Sequence, residues 1–202
     1  MWHYFETEIN RIKDEKLQQF VKFYLDKFTP SYFWEIGASS SGKFHPKFSQ
    51  GQGGLVRHTK AACLFLEDLL RMSSYAYMGE EKHDLCRVAL ILHDTAKYGM
   101  GEEMDKTQYK YHAIKASVQV AVAWYEYFDK DAPYLLTQAI RSHMGQWSEK
   151  EDRPFTQIDR AVHMADYMSS RSYIDIPEIS EEWDEVYHAI NGHYLEDDDL
   201  PF

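Results

Sequence analysis

Residues 88–97 read VALILHDTAK, and this stretch decides how the rest of the chain is interpreted. Its apolar half, 88–92, runs directly into the adjacent pair His93 and Asp94, and Lys97 follows three positions after Asp94. The apolar run predicts a buried helix. A histidine, a carboxylate and an ammonium beside a core are costly to bury unless they are paired or bind a metal. We therefore expect other parts of the chain to bring further ligands to this pair.

Apolar residues recur at helical spacing along most of the chain. They predict helices over about 4–28, 54–72, 80–98, 112–128, 131–143 and 155–171, with a weaker one within 180–190. Residues 36–54, 99–109 and 144–155 are predicted to be loops. The sequence contains no alternating strand pattern of useful length and no internal repeat, so we predict an all-α, single-domain helical bundle.

Within that single domain we distinguish three parts. Residues 1–50 are predicted to form an N-terminal helix and a substrate-side loop packed on the core. Residues 51–172 hold the candidate ligands, and residues 173–202 form an acidic C-terminal segment. Cys63 and Cys86 fall in apolar helical patterns, so we interpret them as reduced core residues.

The composition limits the class of protein. The chain has 202 residues, 44% of them hydrophobic and 15% aromatic, which excludes a disordered chain. No apolar run approaches the roughly 20 residues that span a bilayer. The first residues lack the basic segment of a secretory signal, and we expect a cytoplasmic protein that does not bind membranes.

The net charge of −11 is concentrated at one end of the chain. Ten of the 33 acidic residues lie in 172–202, a segment without Lys or Arg. Residues 1–171 therefore carry 23 acids against 22 bases and are close to neutral. The acidity of the whole chain does not exclude a nucleic-acid or nucleotide substrate for its body.

Four more residues of ligand type stand near predicted helix ends or in a predicted helix, and these are His58, His112, His143 and Asp166. With His93 and Asp94 they give four imidazoles and two carboxylates on five predicted helices. Neutral imidazole and carboxylate suit divalent transition metals, and one or two ions of Mn, Fe, Co, Zn or Ni fit this set. Neighbouring helical positions point about 100° apart, so a carboxylate adjacent to a histidine can bridge two ions.

The order of these residues resembles the HD superfamily of metal-dependent phosphohydrolases. The segments Gly53-Gly54-Leu55-Val56-Arg57-His58-Thr59 and Leu92-His93-Asp94-Thr95-Ala96-Lys97 look like its two best-known stretches, and the resemblance covers roughly residues 50–172. It implies an HD-type helical bundle in which His58, His93, Asp94 and Asp166 surround one metal ion. His112 and His143 match the positions that hold a second ion in dinuclear members. The segments are similar to the HD part of a bacterial 3′→5′ exoribonuclease, whereas the Gly-Tyr-Pro extension of cyclic-di-GMP phosphodiesterases is absent.

Basic residues near the candidate ligands indicate an anionic substrate. Lys97 follows His93 and Asp94 at helical spacing, so we predict that it binds a phosphate and acts with Asp94 in catalysis. An ordinary ion pair with a nearby acid is the alternative for Lys97. The other predicted substrate-binding residues are Lys43, His45 and Lys47 in the Gly/Ser-rich loop, and Lys115 one turn after His112. Arg57 and Lys60 belong to the same basic stretch around His58. Trp147 is a candidate for stacking on a base. His163 is either a surface residue or a residue that orients one of the metal ligands.

The leading hypothesis is hydrolysis of a phosphomonoester or phosphodiester of a nucleotide or short oligonucleotide by a metal-activated water. We expect no stable binding of duplex nucleic acid. The alternatives are a di-iron oxygenase of the HD type, because some relatives use the same six ligands for oxidation, and a non-catalytic module that senses a nucleotide. The oligomeric state, the metal and the exact substrate stay open.

Overall fold

The fold is that of a computed structural model, which describes residues 1–39, 45–176 and 179. All regular elements in these residues are helical, which confirms the predicted all-α class. The α-helices are α1 (Glu6–Arg11), α2 (Glu15–Lys27), α3 (Gly54–Arg71), α4 (Ser73–Ala76), α5 (Glu80–Leu92), α6 (His112–Phe128), α7 (Tyr134–Ser142) and α8 (Gln157–Ser169). Short 3-10 helices lie at Trp2–Phe5, Ser31–Trp34, Lys47–Ser49, Lys106–Tyr111, Gly145–Trp147 and Lys150–Asp152. The helix predicted within 180–190 and Lys43 fall outside the described residues.

Helix α5 lies at the centre of the bundle and contacts α1, α2, α3, α7 and α8. Its apolar residues from Val88 to Leu92 are all 1% exposed or less, as the opening stretch predicts. Helices α3 and α8 pack against each other beside α5, and α6 and α7 pack together on the other side. A single large hydrophobic cluster joins the N-terminal helices to these five, and Cys63 and Cys86 are free and buried within it.

The single helix predicted over 4–28 is wrong, because the chain is broken between α1 and α2. At Ile12 the backbone is extended, with ψ 129°. The backbone N–H groups of Lys13 and Asp14 donate to the carboxylate of Asp84 on α5, at 2.9–3.0 Å. Asp14 then caps α2 by accepting from a backbone N–H group. The carboxylate of Asp84, about 70 residues later in the chain, therefore stabilises the interruption between α1 and α2. The spacing of apolar residues within 4–28 does not reveal this contact.

The helix predicted over 80–98 is too long, because α5 ends at Leu92 and turns follow. The Thr95 hydroxyl donates to the Leu92 carbonyl oxygen at 2.9 Å and satisfies one carbonyl at the helix end. The Tyr32 hydroxyl donates to the Gly99 carbonyl oxygen at 2.5 Å and holds the far side of the turn. The His-Asp pair is thus presented from a helix end and the start of a fixed turn.

The other predicted helices agree with α3, α6, α7 and α8 to within about three residues at each end. Helix α8 begins with a capping box, in which Thr156 accepts from the Asp159 backbone N–H and Asp159 accepts from that of Thr156. Gly54 opens α3 where a Cβ atom would overlap the Ser49 carbonyl, so only glycine allows the loop to pack so closely on this helix. Among the described residues, no helix has both the length and the apolar character needed to cross a membrane.

Candidate metal centre

Six buried or partly buried side chains lie close together, and they are the six residues that the sequence singles out. Five of them line one cavity, and His93 is fully buried beside them, with Nε2 3.5 Å from Asp166 Oδ1. The six come from α3 (His58), the end of α5 (His93 and Asp94), the first residue of α6 (His112), the residue after α7 (His143) and α8 (Asp166). Exposure of the side chains is 3% or less for five of them and 18% for Asp166. The bundle thus brings together ligand-type residues that are up to 108 positions apart in sequence.

Three of the imidazoles are oriented in the same way. The Nδ1 atoms of His93, His112 and His143 lie 2.6, 2.5 and 2.7 Å from the carbonyl oxygen of the residue three positions earlier. A carbonyl oxygen only accepts, so each Nδ1 carries the proton, and in the neutral ring each Nε2 has a free lone pair. Metal-binding histidines are typically fixed by such a bond to a backbone carbonyl. The Nδ1 atom of His58 lies 3.2 Å from the Ser169 hydroxyl, which fixes this ring on the side opposite Nε2.

One half of the site surrounds Oδ2 of Asp94. This oxygen is 3.6 Å from His93 Nε2 and 3.8 Å from His58 Nε2. Asp166 Oδ1 faces the same two rings, at 3.0 Å from His58 Nε2 and 3.5 Å from His93 Nε2. Four ligand-type groups therefore surround a common point on this side.

The other half of the site surrounds Oδ1 of Asp94. This oxygen is 2.9 Å from His112 Nε2 and 3.7 Å from His143 Nε2. The two Nε2 atoms of His112 and His143 are themselves 3.0 Å apart. The two oxygens of one carboxylate are thus directed at different histidine pairs.

The arrangement fits a bound cation. With Nδ1 protonated, His112 and His143 direct lone pairs at each other across 3.0 Å, which is unfavourable without a proton or a metal ion between them. His93 Nε2 and Asp94 Oδ1 are buried and have no aligned hydrogen-bond partner among the described residues, which is costly for polar atoms. Ligand atoms of His58, His93 and Asp94 lie within 4.8 Å of one another, and the same holds for Asp94, His112 and His143. These distances and donor types suit a divalent transition metal.

The protonation states of Asp94, Asp166 and His143 also favour metal binding. Burial opposes ionisation of Asp94, but Lys97 and His93 hold the pKa of its carboxyl well below the ordinary value. Burial likewise opposes ionisation of Asp166, and contacts with His58 and His93 hold its pKa well below the ordinary value. Burial together with the neighbouring histidines lowers the pKa of His143 to about 3. At neutral pH the carboxylates are therefore charged and His143 is neutral, as ligands must be.

Lys97 lies at the edge of this centre, with its side chain 13% exposed. Its Nζ atom is 2.7 Å from Asp94 Oδ2 and lines the cavity. Burial by itself would lower the pKa of Lys97, but the carboxylate of Asp94 raises it above the ordinary value. The ion pair between Lys97 and an acid, which was the alternative interpretation of the sequence, is therefore present with Asp94. Contact between Lys97 and a substrate phosphate stays a prediction.

The cavity has a volume of about 640 Å³, a size typical of small-molecule sites. Of the other predicted substrate residues, His45 lines it, with its ring centroid 5.6 Å from that of His58. Lys47 is exposed and not part of the lining. Lys115 bonds Gln108 and is not part of the lining either.

Two bases that the sequence assigns to the anionic-substrate pattern support the fold instead. Lys60 is buried, and its ammonium bonds Glu8 at 3.1 Å and the Tyr4 carbonyl oxygen at 3.0 Å. Arg57 donates to two carbonyl oxygens of the loop before α3. For these two residues the interpretation from local charge is wrong.

Other cavity residues were not assigned to the site from the sequence. Lys106, Tyr109, Tyr98 and Arg171 line the cavity together with Trp147, which was a stacking candidate. A signal for Arg171 exists, since it is the last basic residue of the chain and lies five positions after Asp166. His163 supports the centre indirectly, because its Nδ1 donates to the His143 carbonyl oxygen at 2.7 Å.

Comparison with known proteins gives one match. A family model described as HD domain matches residues 55–171, which is more than half of the 202-residue chain and includes all six ligand-type residues. No curated protein and no solved structure matches the chain.

Proposed function

The chain belongs to the HD domain family, within the superfamily of metal-dependent phosphohydrolases, and on that premise we propose that it cleaves a phosphate ester of a nucleotide or short oligonucleotide by transfer of the phosphoryl group to water. The observation that carries the proposal is the position of Asp94. Its two carboxylate oxygens face different histidine pairs, which is the arrangement that a dinuclear centre requires.

The proposed ligands divide into two sets that share Asp94. His58, His93, Asp94 and Asp166 would hold one ion, and Asp94, His112 and His143 would hold the other. When bound, divalent ions polarise a phosphoryl oxygen and lower the pKa of water towards 7. Hydrogen bonds from Nδ1 to backbone carbonyl oxygens hold the rings of His93, His112 and His143 in fixed positions for a metal.

The protein's own cations would bind the rest of the phosphate. Lys97 is charged at neutral pH, and its ammonium can bind a phosphoryl oxygen beside Asp94 and balance negative charge that develops during transfer. Lys106 lies on the cavity wall and would contact the ester as a second cation. His45 lies beside His58, and burial together with His58 lowers its pKa to about 3, so it would contact the ester as a neutral ring. Lys43, Lys47 and Lys115 stay predicted substrate contacts.

Hydrolysis with a matched pair of variants tests the proposal. The purified chain is incubated with Mn²⁺ and a generic aryl phosphodiester, nucleotides or short oligonucleotides, and bound metal is measured in parallel. Asp94→Asn should lose both hydrolysis and metal. Asp68→Asn, at an exposed ion pair on α3, should keep both. Failure of every substrate, together with unchanged metal content in Asp94→Asn, contradicts the proposal.

The same experiment separates the two alternative functions. Tightly bound iron with consumption of O₂ and without release of phosphate would identify an oxygenase. Binding of a nucleotide without turnover under any metal would identify a sensing module. The complete ligand set favours catalysis over sensing, because each of the six groups needed to bind metal is present.

A further inference from the structure

Beside the metal centre, the cavity wall carries an aromatic residue that is exposed yet held in place. Trp147 ends the 3-10 turn after α7 and is 56% exposed. Its ring is stacked on that of Tyr167, with centroids 6.0 Å apart and planes inclined by 19°. Arg171 adds a guanidinium 4.1 Å from the Tyr167 centroid and 5.8 Å from that of Trp147. We call these three residues the aromatic shelf.

Arg171 is fixed by two hydrogen bonds of its own. Nε donates to the Tyr167 carbonyl oxygen at 3.1 Å, and Nη2 donates to the Ser170 hydroxyl at 2.7 Å. Nη1 makes no hydrogen bond to a described residue, so it is available as a donor to a ligand. The planar guanidinium therefore packs against the rings and keeps one N–H-bearing nitrogen for a ligand.

The shelf is connected directly to the metal centre. Trp147 and Arg171 line the same cavity as His143 and Asp166. Trp147 follows His143 by four residues, and Tyr167 is the residue after Asp166. A ligand that extends from the metal centre along this wall would meet Trp147 and Arg171, the two shelf residues that line the cavity.

We propose that the aromatic shelf binds the base of a nucleotide and makes the site prefer base-bearing phosphate esters over sugar phosphates. The phosphate half of this inference rests on the proposed function, and the base half rests on the shelf alone. Stacking on an aromatic ring accepts every base, because every base has a π face. The shelf therefore selects a base over no base, and its preference among bases follows their stacking area.

The distinction between the shelf and ordinary exposed aromatic residues is physical. Tyr77, Tyr134 and Tyr173 are 69, 63 and 81% exposed, but none of them lines the cavity. Trp147 is already ordered by its contacts with Tyr167 and Arg171, so a ligand that stacks on it loses little side-chain entropy from the protein. An ordered indole at the wall of a phosphate-type site is what base binding needs.

Equilibrium binding measures the shelf without catalysis. Dissociation constants of a nucleoside 5′-monophosphate and of ribose 5-phosphate are measured by calorimetry on the full chain. In Trp147→Ala, the affinity ratio of nucleotide to ribose 5-phosphate should fall roughly 5- to 150-fold. Trp147→Phe keeps a ring and should retain most of the ratio. Tyr134→Ala, which removes an exposed ring outside the cavity, should leave the ratio unchanged.

The outcomes separate this inference from the proposed function. An affinity ratio in Trp147→Ala equal to that of the wild type overturns the shelf, even if phosphate esters are hydrolysed. A ratio that falls in Trp147→Ala but not in Trp147→Phe supports the shelf, even if no phosphate ester is cleaved with Mn²⁺. An equal fall of the ratio in Tyr134→Ala would also overturn the shelf, because any exposed ring would then have the same effect.

Discussion

Replacement of Gly145 by alanine should destabilise the wall that holds His143. Gly145 has φ +60°, a left-handed conformation that costs a residue with a side chain about 1–2 kcal/mol. The added Cβ would also overlap the imidazole of His163. His163 donates to the His143 carbonyl oxygen at 2.7 Å, and loss of that hydrogen bond adds about 1 kcal/mol. The free energy of unfolding should therefore fall by about 2–3 kcal/mol.

Urea unfolding and thermal melting measure this change. For a chain of this size the melting temperature should fall by roughly 4–12 °C. Gly101→Ala is the matched control, because its Cβ would meet no atom of the described residues within 4 Å and its φ is not positive, so we expect it to be nearly neutral. In a double-mutant cycle, His163→Ala should cost about 1 kcal/mol alone and nothing further in the Gly145→Ala background. If Gly145→Ala and Gly101→Ala have the same urea midpoint of unfolding, the reasoning is refuted.

Three further perturbations probe the turn, the cation and the pH dependence of the site. Tyr32→Phe removes a buried hydroxyl bonded to two backbone groups after Lys97 and should cost about 1–3 kcal/mol in urea unfolding, whereas Tyr77→Phe at the surface should change it by less than about 0.5 kcal/mol. Lys97→Met should keep bound metal and lower kcat by about a hundredfold, and an unchanged kcat would reduce Lys97 to a partner of Asp94. Burial would lower the pKa of His93, but the carboxylates beside it raise that pKa above its ordinary 6.5. The charged His93 ring therefore stabilises the metal-free protein fully below pH 6.5, and this stabilisation is lost as the pH rises through the raised pKa. Metal needs the neutral ring, so the gain in melting temperature from Mn²⁺ should be larger at about pH 8.5 than at about pH 6, and an equal gain at both would contradict this assignment.

Four of the six ligand-type residues have a local signal in the sequence. His58 follows a Gly-Gly pair at a helix start, His93 and Asp94 end an apolar run, and His112 opens a helix at its predicted first residue. Helix periodicity then places these residues near helix ends, where a bundle brings distant segments together. The structure brings all six side chains together, five at the cavity wall and His93 buried against Asp94 and Asp166, as expected from that order.

The break before α2 and the end of α5 could not be predicted because they depend on contacts between distant segments. Asp84 accepts from backbone groups 70 and 71 positions earlier. Tyr24 and Tyr32, from the N-terminal part of the chain, place their hydroxyls against the turn that follows Asp94. Nothing in residues 93–98 alone distinguishes that turn from one more helical turn.

The functions of single charged residues were the least predictable part. Lys60 and Lys97 are both lysines close to a candidate ligand in sequence, yet one is buried against Glu8 and the other lines the cavity. Arg171 lines the cavity, with its guanidinium held over the Tyr167 ring after the end of α8. Local charge indicates that a base is present, and only the packing determines what it contacts.

The division of the ligands around Asp94 is the central claim, and counting bound metal tests it most directly. After loading with Mn²⁺ and removal of excess, metal per chain is measured by mass spectrometry for the wild type and for the variant with both His112→Ala and His143→Ala. His3→Ala, at an exposed position, is the control. We predict two ions per chain in the wild type and in the control, and one in the double variant. A single ion in the wild type that persists unchanged in the double variant would contradict the account.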